Sequence, residues 1–123
     1  MSEVLKERAE RFLENAKDLF KKEYYDLCAF NLEQSAQLFL KYALWKILGD
    51  FEKTHSLHRL LKSYGKISKK EKEIKSLFKK YEEVINDLEI AYIEARYIPA
   101  IFTKRQIEKM FQFLEELKEI LNI

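Results

Sequence analysis

The sequence has few residues that break helices, and little that would cross-link the chain or bind a metal. Its 123 residues include two glycines, one proline and one cysteine, while 36% are charged. A β-sandwich or barrel needs many turns, so this composition indicates an almost all-helical protein instead. The length suits one domain with a single hydrophobic core. We therefore predict one all-α domain over residues 1–123.

The single cysteine excludes an internal disulfide and is compatible with a reducing cytoplasm. Cys28 has no partner pattern around it, so we expect it to pack as a small apolar residue and not to act as a nucleophile. The start, Met1-Ser2-Glu3, leads into a charged amphipathic helix and not into a secretion signal. We expect a cytoplasmic protein, and the many Lys, Glu and Ile residues hint at a thermophilic source.

The most informative stretch is YYDLCAFNLEQSAQLFLKYALWKIL, from Tyr24 to Leu48. It lacks Gly and Pro and is apolar on nearly every face, which is typical of a helix buried on several sides. A short bundle would cover about two-thirds of such a helix, so the remainder predicts a homodimer interface. Polar residues in its middle argue against a membrane span. These residues are Asn31, Glu33, Gln34, Ser35 and Gln37. They would either hydrogen-bond across the interface or to a neighbouring helix, or line a groove for a nucleotide or partner.

Around this helix, apolar spacing and capping residues predict the rest of an up-and-down bundle of four to five helices. Helix one should run from about Glu3 to Lys22, and Gly49 should end helix two. Thr54 should cap a short third helix that closes at Tyr64-Gly65. Capping boxes at Ser68–Glu71 and Thr103–Gln106 should start the last two helices. Helix four should reach roughly Arg96. Pro99 should end it near Tyr97.

Lysines are concentrated in one stretch, although the net charge is only +2. Residues 62–80 contain eight Lys against Glu71 and Glu73. Lys69, Lys70 and Lys72 form the centre of this basic patch. It is either a solvated helix start or a surface for phosphates or an acidic partner. At the centre of the patch, over residues 66–75, no Arg or aromatic side chain is interleaved for base stacking.

Two other groups of side chains are candidates for chemistry. Arg96 lies at the end of helix four, on the flank that carries Tyr92 and Glu89, and would either cap the helix or bind a phosphate. His55 and His58 lie three residues apart without a third ligand, so we predict no metal site. His55 should help to start helix three and His58 should lie on its surface. No phosphate loop or nucleophile motif is present, and we predict no cofactor.

In their order along the chain, four segments resemble the HEPN domain family (higher eukaryotes and prokaryotes nucleotide-binding). They are AERFLENAKDLF, YYDLCAFNLEQSAQLFLKYAL, KTHSLHRLL and ARYIPAIF. The resemblance covers nearly the whole chain and implies a helical bundle that forms homodimers. It also implies pairing with a minimal nucleotidyltransferase, often in a toxin–antitoxin or defence system.

Many HEPN ribonucleases have an Arg followed by a His after four to six residues. Arg96 matches that Arg, but positions 101–103 are Ile101, Phe102 and Thr103. Without the His, no acid or base stands beside Arg96 for RNA cleavage. The resemblance therefore implies a non-catalytic binding module in which Arg96 faces a phosphate of a nucleotide or RNA, framed by Tyr92 and Tyr97. The alternatives are a metal-independent ribonuclease with His55 or His58 as proton donor, and a structural dimer without ligand.

Overall fold

The computed structural model describes residues 2–94 and 101–123 of the chain. In these two ranges it forms five α-helices and no strand, which confirms the predicted all-α bundle. The helices are α1 (Ser2–Lys21), α2 (Tyr25–Leu48), α3 (Leu57–Ser68), α4 (Glu71–Glu94) and α5 (Lys104–Leu121). Nowhere in these ranges does a helix combine the length and the apolar character needed to cross a membrane.

The second helix lies at the centre of the bundle, where it packs against each of the other four helices. Its side chains Leu32, Phe39, Leu40 and Leu44 are almost completely buried. The core around them is built from Leu57, Leu60 and Leu61 of α3, Ile85 and Leu88 of α4, and Ile107, Met110 and Phe113 of α5. Burial of each such side chain stabilises the fold by roughly 1.5–3 kcal/mol. Because α2 contacts all four other helices, most of this stabilisation involves α2.

One narrow sector of α2 remains partly exposed between its two ends. We call it the α2 strip: Leu27, Phe30, Gln34, Leu38, Lys41 and Trp45. At about 100° per residue, these positions share a sector of about 80°, which is less than a quarter of the circumference. The bundle thus covers more of α2 than the sequence suggested. A second subunit would therefore have less of α2 to cover than predicted, and the homodimer stays a prediction.

The first two helices approach closely because small residues line their contact. Ser35 Oγ donates a hydrogen bond of 2.8 Å to the carbonyl of Ala9. The thiol of Cys28 donates one of 3.2 Å to the carbonyl of Ala16. Cys28 is fully buried, which raises its pKa to about 12 and keeps the thiol protonated at neutral pH. Its predicted role as a packing residue is confirmed.

The connection from α2 to α3 differs in part from the prediction. Gly49 ends α2 in the left-handed conformation (φ 71°), as predicted. The N-cap of α3 is Ser56, whose hydroxyl accepts a hydrogen bond from the backbone N–H of Arg59. The prediction of Thr54 as the cap is therefore wrong. Thr54 instead accepts a 3.1 Å hydrogen bond from the Ser56 backbone N–H through its own hydroxyl. His55 therefore lies just before the helix.

The junction between α3 and α4 also differs from the prediction. Gly65 does not close α3 but lies inside it, where a Cβ atom would come within 3.0 Å of Ile74 Cγ1. Ser68 belongs to the last turn of α3, and its hydroxyl donates to the Tyr64 carbonyl over 2.6 Å. The capping box predicted at Ser68–Glu71 is thus wrong. Lys69 ends the helix in the left-handed conformation (φ 61°) instead.

The last two helices pack against each other with α4 bent at Tyr81, whose backbone angles are not helical (φ −122°, ψ 28°). The sequence contains no Pro or Gly near this kink and does not predict it. The capping box at Thr103 and Gln106 is confirmed, with both reciprocal hydrogen bonds present. The predicted end of α4 near Tyr97 lies outside the described residues.

Candidate functional site

A group of polar and aromatic side chains gathers where α2, the segment before α3 and the second half of α4 meet. Its deepest member is Glu33, a fully buried carboxylate on α2. The amide of Gln34 donates to Glu33 Oε1 over 2.8 Å, and that of Gln37 donates to Oε2. Gln37 Nε2 also donates to the backbone carbonyl of His55 over 2.8 Å. Glu33 thereby fixes the segment that leads into α3.

Burial raises the pKa of Glu33 to about 7. Hydrogen bonds from Gln37 and Gln34 oppose this rise, and the positive charge of Lys41 opposes it further. The carboxylate of Glu89 adds to the rise through repulsion. Burial also lowers the pKa of Lys41, against the attraction of Glu33. Glu33 is therefore poised to change charge near neutral pH.

A second carboxylate, Glu89 of α4, receives three hydrogen bonds from the start of α3. Its Oε1 atom accepts from Ser56 Oγ (3.2 Å), from the His58 backbone N–H (3.2 Å) and from His58 Nδ1 (3.0 Å). We call Ser56, His58 and Glu89 the Glu89 cluster. Burial would raise the pKa of Glu89, but the hydrogen bonds from His58 and Ser56 outweigh it and lower the pKa. Glu89 thus stays ionised at neutral pH.

The contact with Glu89 determines which ring nitrogen of His58 can accept a proton. When Nδ1 carries the proton shared with Glu89, Nε2 is a proton acceptor. The His58 side chain is 34% exposed, and its ring stacks on Phe78 at 5.4 Å between centroids. The Glu89 cluster can therefore orient an imidazole and let it exchange a proton with a ligand.

Three rings lie beside the Glu89 cluster and form what we call the aromatic stack. Tyr92 stacks with His55 and with Phe30, with centroid distances of 5.0 Å and 6.5 Å and interplanar angles of 21° and 16°. Tyr92 follows Glu89 by one turn of α4, and His55 immediately precedes Ser56. Stacked rings of this kind offer a face to a nucleobase.

The predicted site residues are distributed unevenly over the structure. Tyr92 lies in the aromatic stack, whereas Arg96 and Tyr97 lie outside the described residues. Of the polar cluster on α2, Glu33 and Gln37 support the segment before α3 as described above. Asn31 accepts a 2.9 Å bond from Asn15 of α1 and donates one of 2.8 Å to the carbonyl of Leu27. Buried polar groups of this cluster are thus paired inside their own chain, and Gln34 is partly exposed.

The basic patch lies at the other end of α3, about 18 Å from Ser56 along the helix. Lys70 Nζ donates to the carbonyl of Ile120 over 2.6 Å, so this charge caps the end of α5. Lys69 supplies the left-handed cap of α3, and Lys72 is exposed on α4. The three lysines therefore sit far from the Glu89 cluster, and Lys70 has a structural partner.

The sequence alone did not identify the Glu89 cluster. Glu89 and His58 are separated by 31 residues, and only the packing of α4 against α3 brings them together. His58 is paired, and not merely placed on a surface face as predicted. In residues 2–94 and 101–123, no group of three or more His, Cys, Asp or Glu side chains has the arrangement of a metal site.

Comparison with known proteins connects the chain to one family. The family model described as "HEPN domain" matches residues 2–123, essentially the whole chain. No curated protein and no solved structure matches the chain.

Proposed function

This chain belongs to the HEPN family, and we propose that it is a non-catalytic module that binds a nucleotide or RNA. In this proposal it forms a homodimer and docks a minimal nucleotidyltransferase of a toxin–antitoxin or related defence system. The match over residues 2–123 is the observation that carries the proposal, since it connects the chain to nucleotide- and RNA-related functions in general.

The ligand would lie against the Glu89 cluster and the aromatic stack. Arg96 would bind a phosphate through its planar guanidinium, and Tyr97 and Tyr92 would frame it. Tyr92 follows Glu89 on α4 and precedes Arg96 by four residues in the sequence. The stack formed by His55, Tyr92 and Phe30 supplies the π-surface on which a base can rest.

The residues after Arg96 support a non-catalytic role. Ile101 is 96% exposed and apolar, and it has no group that transfers a proton. Phe102 is buried in the core. Thr103 uses its hydroxyl to cap α5. None of the three can replace the histidine that many HEPN ribonucleases place at this distance from their arginine.

Light scattering coupled to size-exclusion chromatography tests the assembly. The protein would be measured alone and after co-expression with the product of the adjacent gene, which the proposal expects to be a minimal nucleotidyltransferase. We expect twice the mass of the chain in the first case, and one stable complex of both proteins in the second. Two species that elute separately would contradict the pairing, and a monomer at all concentrations would contradict the homodimer.

A second candidate function is a metal-independent ribonuclease, and the pairing of His58 with Glu89 favours it. In such a reaction a base removes the proton of the ribose 2′-hydroxyl, whose oxygen attacks the adjacent phosphorus. The 5′-oxygen leaves and takes up a proton from an acid. His58 Nε2 would serve as base or acid, oriented by Glu89, and Arg96 would stabilise the charge on the phosphate.

Incubation with total RNA separates the two candidates. The ribonuclease predicts cleavage that His58→Gln abolishes, while Glu14→Gln, a control on the exposed face of α1, retains the cleavage. Cleavage should also disappear in Arg96→Ala. The binding module predicts that the wild-type protein leaves RNA intact even at high protein concentration.

A further inference from the structure

A groove between α1 and α2 lies across the α2 strip from the aromatic stack. It has a volume of about 330 Å³, within the range of small-ligand sites. Its lining consists of Arg8, Arg11, Phe12, Asn15 and Asn31. We call it the arginine groove. Two of the five arginines of the sequence lie here, three residues apart on one helix.

Both arginines are available to a ligand. Arg8 and Arg11 are exposed, and neither forms an ion pair within residues 2–94 and 101–123. Arg59, by contrast, pairs with Glu52. The lining of the groove contains no carboxylate, so an anion would meet two guanidinium groups and no repulsion from the groove itself.

The floor of the groove combines hydrogen-bonded amides with an aromatic ring. Asn15 and Asn31 are joined by a 2.9 Å hydrogen bond, and Asn31 is only 8% exposed. Phe12 is partly exposed beside them. A phosphate diester with a sugar and a base can use all three kinds of group: guanidinium, amide and aromatic ring.

The arginine groove and the aromatic stack border the α2 strip on its two sides. Asn31 in the groove directly follows Phe30 in the stack, and both lie on α2. The distance across one helix with its side chains is about 10 Å. Single-stranded nucleic acids occupy about 4–16 nucleotides on comparable protein surfaces, which is enough to cover this distance.

We propose that single-stranded RNA crosses α2 from the arginine groove to the aromatic stack, with Arg8 and Arg11 holding its phosphates. This inference rests on the proposed binding of RNA and adds to it a second contact outside the Arg96 region. A second copy of the chain fits less well, because a two-fold axis through the groove would place the arginine pairs against each other. With RNA on the α2 strip, the homodimer of the proposed function would use another face of the bundle.

Fluorescence anisotropy with a labelled single-stranded RNA of about ten nucleotides tests the proposal. The double variant Arg8→Gln/Arg11→Gln would be compared with Lys72→Gln/Lys75→Gln, which removes the same charge from exposed positions of the basic patch region. We expect the arginine variant to lose about tenfold or more in affinity. Its slope of log affinity against log salt should fall by about 1.4, as expected for two phosphate contacts on a single strand. The lysine variant should keep the wild-type slope.

Each remaining outcome has a distinct meaning. If both double variants lose the same affinity for RNA, the arginine groove is not the site, although the proposed RNA-binding function still stands. Absence of RNA binding by the wild-type protein would overturn both the inference and the RNA part of the proposed function. Displacement of the RNA by polyglutamate at equal charge concentration would show a site for acidic protein segments and would also overturn the proposal. Circular dichroism of both variants verifies that they are folded.

Discussion

Replacement of Glu33 by glutamine should remove a loss of stability that the wild-type protein undergoes as the pH rises through neutrality. Glu33 is fully buried, and its pKa is raised from 4.5 to about 7, chiefly by burial. Between these two values the native state binds more protons than the unfolded state. Stability therefore falls as the pH rises through this window. The amide side chain of the Glu33→Gln variant carries no charge at any pH, so the variant would not show this loss.

The expected magnitude follows from the two pKa values. A carboxyl group whose pKa rises from 4.5 to about 7 on folding destabilises the native state by about 2.5 kcal/mol more at about pH 8 than at about pH 5. Changes in the hydrogen bonds to Gln34 and Gln37 affect the variant at both pH values and largely cancel in the comparison. The difference in unfolding free energy between Glu33→Gln and wild type should therefore shift by about 2.5 kcal/mol in favour of the variant.

Urea unfolding followed by circular dichroism at the two pH values measures this shift. Equal m-values for both proteins would verify that the change lies in stability and not in the unfolded state. Glu14→Gln on the exposed face of α1 is the matched control and should shift little. If the variant differs from wild type by the same amount at both pH values, Glu33 does not change its charge in this window, and the reasoning is refuted.

Three further predictions concern packing, capping and ligand binding. Gly65→Ala should cost up to about 2 kcal/mol in chemical unfolding, because the contact of the new Cβ with Ile74 at 3.0 Å outweighs the gain of about 1 kcal/mol from the helix propensity of Ala; a variant about 1 kcal/mol more stable than wild type would contradict this contact. Thr103→Ala should cost about 1 kcal/mol through loss of the cap of α5, and an unchanged melting temperature would argue against the capping box. Tyr92→Ala should weaken RNA binding by about 1–3 kcal/mol in the anisotropy assay, and unaltered affinity would remove the aromatic stack from the site.

The sequence predicted those parts of the fold that depend on neighbouring residues. The left-handed end of α2 at Gly49 and the capping box that begins at Thr103 involve only nearby positions, and both were correct. The start of α3 was misplaced because Thr54 and Ser56 are both good N-cap residues. Contact with Glu89, far away in the sequence, accompanies the choice of Ser56.

The candidate site was less predictable for the same physical reason. Helical spacing correctly put Tyr92 and Glu89 on one flank of α4, but it cannot show which residue of α3 they face. The hydrogen bond from Gln37 to the His55 carbonyl likewise joins residues 18 positions apart. Such pairings arise from packing of helices, and a single sequence contains no direct signal for them.

Cys28 makes the docking of α1 measurable in solution. Its thiol is buried against the carbonyl of Ala16 and stays protonated. An alkylating reagent can therefore attack it only after α1 separates from α2. Because the chain has no other cysteine, a mass increase of a single alkyl group reports the frequency of this opening without mutation or dye. The alkylation rate of Cys28 in the native protein thus measures how often its first helix separates, and a ligand that bridges α1 and α2 would lower this rate.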